Sequence, residues 1–295
     1  MGDKAGAVFY QQNVPASYPV AGRIERMKSF HEDLMVKPGK KVRLSELDPN
    51  ETHGWSRADA DEELERLRQK MYGLQYKLHA ESKRSLLIVL QATDTGGKDG
   101  TIRNVMSGLN PQGCRVASFK VPSSEELAHD FLWRVHRACP AKGEIGIFNR
   151  SHYGDVLVVR VHNIVPKAVW SKRYEQINSF EKILAENGIR ILKFFLHISK
   201  EEQAERLRAR IEDPERHWKV SEADFRERQF WDDYTEAHEV VLSKCSTEWA
   251  PWYVIPANRK WFRNLAVAGI VVEELESMDL QFSKSTMDIS KIVIE

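Results

Sequence analysis

The sequence predicts an α/β protein of three layers, a parallel sheet covered by helices on both faces. Apolar runs of strand length recur at residues 86–91, 115–121, 145–149, 191–198 and 252–255. Segments of helical length separate them, notably 123–139, 165–187 and 200–245. Strands that are apolar throughout, rather than alternating, belong to a parallel sheet buried on both sides.

In chain order, residues 1–57 are mixed, with scattered Pro and Gly and a basic stretch, KPGKKVR, at 37–43. They are expected to form an N-terminal arm lying on one main domain, residues 58–295. The segment from Ala58 to about Ser82 carries Leu64, Leu67, Met71, Leu74 and Leu78 at steps of three and four, the spacing of one helix face. That stripe is expected to serve the core or a subunit contact. The first strand then runs into ATDTGGKDG (residues 92–100), which resembles the phosphate-loop template G-x-x-x-x-G-K-[ST] but departs from it twice. Gly97 and Lys98 match, while Ala92 replaces the first Gly and Asp99 replaces the Ser or Thr.

A strand, a Gly turn and a helix start still supply what an anion needs, because backbone N–H groups and the helix dipole converge there. Gly96 and Gly97 allow close backbone approach, and Lys98 can cross the loop to phosphate oxygens. Asp99, Gly100, Thr101 and Arg103 complete the candidate phosphate-binding turn. Asp94 lies inside the loop, where a carboxylate would repel phosphate unless a cation neutralises it. Magnesium, which takes carboxylate and phosphate oxygens together, is the simplest candidate. The structural alternative for Asp94 is an Asx-turn or helix cap.

The strand at 145–149 ends in Asn149-Arg150-Ser151-His152-Tyr153, a polar cluster at a strand's carboxyl end, where open α/β sheets bind ligands. Arg150 can hold phosphate in a bidentate fashion, or pair with a structural carboxylate. Asp155 is a candidate second carboxylate for metal. His152 is a candidate phosphate ligand or a structural hydrogen-bonding group. Further on, EEQAERLRARIEDPERHWKVSEADFRERQFWDD (201–233) interleaves both charges, as a solvated helix face would. Pro214 breaks it, and Ser221 is placed to cap a second helix, so about 200–233 is expected to form a helical lid that excludes water.

Bulk properties narrow the options. Lys plus Arg number 44 against 43 Asp plus Glu, so no overall charge argues for nucleic acid or a membrane surface. No apolar run approaches the ~18 residues of a membrane span, and the N-terminus has no secretion pattern. Cys114, Cys139 and Cys245 lack metal-ligand spacing and read as reduced thiols of a cytoplasmic protein.

The segments ATDTGGKDGTIRNV, GIFNRSHYGDVLVVRVH, RYEQINSFEK and RIEDPERHWKVSEADF, in that order, resemble the polyphosphate kinase 2 family over roughly residues 60–280. The resemblance implies a P-loop kinase fold similar to thymidylate kinase. It also implies phosphoryl transfer between inorganic polyphosphate and nucleotides with magnesium, or manganese in its place. On that likeness Asp94 and Lys98 form the Walker A pair and Asn149-Arg150 the Walker B region. A lid arginine, Arg210 before Arg208, would touch the transferred phosphates. Asn149 stands where many relatives have Asp, and Gly154 where they often have Glu, which leaves the choice between AMP and ADP open.

Lys98, Arg103, Arg150, Arg160, Arg173, Arg208, Arg210 and Lys219 could line a polyanion channel within a chain that is neutral overall. The expected activity is reversible transfer from polyphosphate to ADP, AMP or both. Adenine is the expected base, with guanine as an alternative, and the expected assembly is a dimer or tetramer. The rivals are an ATP-dependent nucleoside monophosphate kinase, a polyanion- or nucleotide-binding module without turnover, and a degenerate pseudo-kinase.

Overall fold

Six strands form the sheet: β1 (Met35–Val36), β2 (Ser85–Gln91), β3 (Cys114–Ser118), β4 (Ile145–Asn149), β5 (Ile189–His197) and β6 (Trp252–Pro256). They lie in the order β1-β6-β5-β2-β4-β3 in a computed structural model that describes residues 29–284, 287, 292 and 294. All neighbours are parallel except β1, which runs antiparallel to β6 with Met35 opposite Tyr253. Leu90 of β2 faces Asn149 on one side and Phe194 on the other, so the carboxyl ends of the three central strands open on one edge.

The helices are α1 (Phe30–Leu34), α2 (Arg57–Glu81), α3 (Lys98–Val105), α4 (Ser124–Leu127), α5 (Trp133–Ala138), α6 (Gly154–Val161), α7 (Lys167–Glu186), α8 (Lys200–Glu212), α9 (Glu222–Arg228), α10 (Trp231–Lys244) and α11 (Lys260–Ser277). Every residue of β2 is buried. Leu86, Ile88 and Leu90 pack with α2, α3 and α11, while Leu87 and Val89 pack with α6, α7 and α10. This is the three-layer αβα arrangement of P-loop kinases, as expected.

Leu64, Leu67, Met71 and Leu78 are buried in the first of these cores, so the stripe on α2 is used within the chain. Two elements carry no clear sequence signal. The two residues of β1 are too short to show a period. α11 is buried over Phe262–Val272 without a break, so it has no polar face to reveal one.

The long helical readings break where side chains capture backbone. Asp130 Oδ1 accepts from Leu132 N (2.9 Å), separating α4 from α5. Asp213 Oδ1 accepts from Glu215 N (3.0 Å) and starts a 3-10 turn at Pro214–Lys219. The Ser221 hydroxyl then caps α9, accepting from Ala223 N at 3.2 Å.

The expected N-terminal arm falls outside the described residues before position 29. From there its chain is stitched to the body by Leu44 N to Glu239 Oε1 (2.7 Å) and Val42 N to Ser243 Oγ (2.9 Å).

Candidate active site

The loop between β2 and α3 is shaped by two left-handed residues, Thr95 (φ 60°) and Gly97 (φ 103°). Gly97 adopts this conformation freely, whereas Thr95 is strained by roughly 1–3 kcal/mol. A Cβ on Gly96 would meet Ala92 Cβ at 2.4 Å, so that position also needs glycine. Gly97 is the N-cap of α3 and no side chain caps it. The first amides of the helix are therefore left for a ligand, the arrangement that binds anions.

Lys98 folds back over the loop, its Nζ donating to Ala92 O (3.3 Å) and Thr93 O (3.5 Å). Burial lowers its pKa to about 8, with Asp94 pulling the other way. Across the crevice Asn149 Nδ2 donates to Asp99 Oδ1 at 2.6 Å, joining the end of β4 to the first turn of α3. The next residue, Arg150, has φ 62° and is held there by its N–H donating to Leu90 O (3.1 Å). Its side chain is 55% exposed and makes one long contact with Asp94 Oδ1 (3.4 Å). A half-free guanidinium opposite a phosphate loop can take phosphate oxygens with little rearrangement.

Two residues of α8 grip the loop. Gln203 Nε2 donates to Asp94 O (3.1 Å) and Arg206 Nη1 to Thr95 O (3.1 Å). Arg206 Nη2 also donates to Ala257 O (2.6 Å), and its Nε pairs with Glu202 (2.6 Å). Arg228 of α9 donates to Gln203 Oε1 (2.6 Å), so α9 is tied to the same support. Arg210 pairs with Asp224 at 3.1 Å. The pKa of Asp224 is raised by burial and then by Asp94, against Arg210, Arg150 and Lys98. Asp224, with Arg210 paired to it, thus lies within electrostatic reach of the phosphate loop.

The structure thus brings together Asp94, Lys98, Asp99, Asn149, Arg150 and Arg210. Other expected residues are engaged elsewhere. Asp155, expected beside the metal, is paired with Arg173 (3.3 Å) and Arg134 (3.9 Å). Arg173 in turn lies over the Phe131 ring, so neither of this pair faces the loop with a free charge. Arg160 pairs with Glu236 and lies over Trp170.

His152, expected among the phosphate ligands, is 1% exposed and bound to Glu181 (3.0 Å). Thr101 is enclosed, its hydroxyl donating back to Gly97 O (3.1 Å) within its own helix. Lys219 lies over Trp218, and Arg103 and Arg208 are exposed.

Arg206, Gln203 and Asp224 were not singled out by sequence. The signal was available in spacing: Gln203, Arg206, Leu207 and Arg210 follow the three-and-four step of one helix face, which Arg208 does not.

Among the described residues no group of three or more His, Cys, Asp or Glu side chains could hold a metal by itself. Asp94, close enough to Asp224 to help raise that group's pKa, fits magnesium, which uses one or two carboxylates plus phosphate oxygens and water. A closed all-protein cage is not required.

A mostly parallel sheet, a glycine loop with Lys98 at a helix start, and arginines of α8 beside that loop define a phosphoryl-transfer kinase of the P-loop class. The chain belongs to the polyphosphate kinase 2 family, whose sequence profile (Polyphosphate kinase 2) matches residues 54–283. It is 52% identical over 262 residues to the AMP/ADP-polyphosphate phosphotransferase of Meiothermus ruber, covering 88% of this chain and 98% of that protein. It is 44% identical over 273 residues to the ADP-polyphosphate phosphotransferase of Rhodopseudomonas palustris, covering 88% and 94%. The crystal structure of polyphosphate kinase 2 from Arthrobacter aurescens superposes with a TM-score of 0.86 at 43% identity, over 89% of this chain and 94% of that one.

Proposed function

We propose that this chain transfers a phosphoryl group from inorganic polyphosphate to ADP and AMP, reversibly and with magnesium. The observation that carries this reading is the pairing of an uncapped helix start and Lys98 with a loosely held Arg150, at the carboxyl edge of the sheet. The names of the two relatives, one for AMP and ADP and one for ADP, support the acceptor class.

The acceptor oxygen is a nucleotide phosphate and already anionic, so no general base is required. The work is positioning and charge neutralisation. Lys98 and the α3 amides hold the donor's phosphates. Arg150 leaves its long contact with Asp94 for the transferred group, and Arg210 closes from the lid. Bound magnesium would supply charge neutralisation between Asp94 and the phosphate oxygens. Gln203 and Arg206 hold the loop in its strained shape. Donor and product are both phosphoanhydrides, so direction follows concentration. The chain is taken to work in the cytoplasm as a homo-oligomer, dimer or tetramer, on a surface other than the buried Leu64–Leu78 stripe. Light scattering of the purified protein would test that assembly.

The deciding experiment is anion-exchange analysis of products from magnesium, long-chain polyphosphate and AMP or ADP, beside controls with ATP as sole donor. ATP from ADP, lost in Lys98→Ala, is the expected result. ADP from AMP with ATP alone, and nothing from polyphosphate, would move the chain to the monophosphate kinases. No product in any tube would leave a binding module.

A further inference from the structure

Arg263, in the first turns of α11, lies against the phosphate loop, and among the described residues no carboxylate pairs with it. A Cβ built on Gly97 would fall 2.0 Å from Arg263 Nη1, and one on Gly100 would fall 3.3 Å from Nη2. The guanidinium therefore fills the space that the glycine at the cap of α3 leaves open. It is 2% exposed, and among the described residues its hydrogen bonds go to Asn264 Oδ1, at 3.2 and 2.8 Å.

Three features make this an unfavourable place for a cation. Arg206 is close enough to help lower the Arg263 pKa, to about 10, although burial is the larger cause. Glu202, the nearby acid, is already paired with Arg206 at 2.6 Å. The first turn of α11 holds no acidic residue and begins with Lys260, although a helix start favours anions over cations. A buried charge left unpaired is strongly destabilising, so the site lacks an anion.

We propose that Arg263 is a further phosphate-binding residue, contributing from α11 to the polyphosphate held at the Gly97–Gly100 turn. This rests on the reading of that turn as the donor site. The donor's charge offsets the Arg263 guanidinium, while Arg206 keeps its pairing with Glu202 and its backbone contacts. The unliganded protein therefore carries an electrostatic strain that donor binding removes.

The test is calorimetric binding of inorganic tripolyphosphate to wild type, Arg263→Met, Arg263→Lys and Lys98→Ala, with melting temperatures and steady-state kinetics. Arg263→Met should melt at or above the wild-type temperature, because an unbalanced buried charge is gone. It should bind tripolyphosphate about tenfold or more weakly, the scale of a lost charged hydrogen bond. KM for polyphosphate should rise with it, while KM for ADP stays unchanged. Arg263→Lys should recover part of the affinity.

Wild-type affinity in Arg263→Met, with binding lost in Lys98→Ala, would overturn the role of Arg263 and leave the donor loop standing. A lower melting temperature with weakened binding of both ligands, not recovered by Lys, would make Arg263 structural and also overturn the proposal. Lys98→Ala binding tripolyphosphate as wild type does would overturn the donor-loop reading itself.

Discussion

Two polar centres lie on either side of the turn at Asn149–Tyr153, and they are built on opposite plans. On the inner side, Lys193 Nζ donates to Glu181 Oε2 (2.5 Å), Tyr153 OH (2.8 Å) and Cys245 O (2.7 Å). Tyr153 OH donates to Glu181 Oε1 at 2.8 Å, and His152 contacts the same oxygen at 3.0 Å. Burial works against the Glu181 charge, yet Lys193 and then His152 hold its pKa below the usual carboxylate value. On the crevice side, Arg150 and Asp94 meet at 3.4 Å, and Lys98 makes its bonds at 3.3 and 3.5 Å. The inner centre pairs its charges at short range, leaving only His152 Nδ1 without a partner in that cluster, and holds the turn; the outer one keeps bonding capacity for a ligand. A protein distinguishes structural from functional charge by how completely it pairs them.

The largest expected effect breaks the inner centre. Lys193→Met leaves Glu181 buried beside His152 with no cation, which should destabilise the fold by ~3–5 kcal/mol. Urea unfolding would read this directly. If the loss is under about 1 kcal/mol, the inner cluster is not what holds the turn, and the contrast with the crevice fails.

Next comes a pH dependence that belongs to the outer centre alone. With the Lys98 pKa lowered to about 8, the free enzyme loses that charge as pH rises through 8. KM for polyphosphate should therefore climb about tenfold per pH unit above that point. The kcat limb should lie at higher pH, because bound phosphate restores the charge. Lys98→Arg, which stays charged, should flatten the KM profile. Stability moves the other way: the unfolded chain binds the extra proton between pH 8 and the ordinary 10.5, so stability gains with pH across that window. A flat wild-type KM profile up to pH 9.5 would mean that Lys98 is not the group that meets the donor.

Helix α8 gives a smaller effect, divided between neighbours in sequence. Arg206 is buried with bonds to Thr95, Ala257 and Asn258 carbonyls, while Arg208 is exposed. Arg206→Ala should lower both the melting temperature and kcat/KM, by ten- to a hundredfold for the latter, since it unties a strained loop. Arg208→Ala should change only KM for polyphosphate, by less than about tenfold, as an exposed contact to a polyanion would. Equal effects from the two would erase the distinction between supporting the loop and touching the donor.

Much of this was legible in the sequence because the chemistry follows local pattern. The all-apolar β2, the Gly96-Gly97-Lys98 turn and the polar end of β4 announced the sheet and its ligand edge. Asp94, Lys98 and Arg150 lie together because each stands at or just beyond the end of a neighbouring strand. What sequence could not show was pairing at a distance. Asp155 looked like a metal ligand until Arg173 and Arg134, from α7 and α5, were seen to hold it. His152 looked like a crevice residue, but three positions past the strand end the side chain turns inward to Glu181. Arg263 lies well over a hundred residues from the loop it touches, inside a helix with no amphipathic signature, so nothing local marks it.

The finest test of the comparison sets one carboxylate against another. Asp94 and Asp155 were both candidates for magnesium, and the structure separates them by their company. Asp94 shares a single long contact with an exposed arginine, whereas Asp155 is enclosed between two arginines, with burial raising its pKa despite them. Asp94→Asn should shift the magnesium concentration for half-maximal rate upward by about tenfold or more, because a neutral amide is a weaker ligand for a hard cation. Asp155→Asn should leave that midpoint in place and lower stability by about 1 kcal/mol through its lost pairs, visible as a small fall in melting temperature. A shifted magnesium midpoint in Asp155→Asn would mean that Arg173 and Arg134 release the carboxylate during turnover. Asp155 and Asp94 would then be coupled parts of one site.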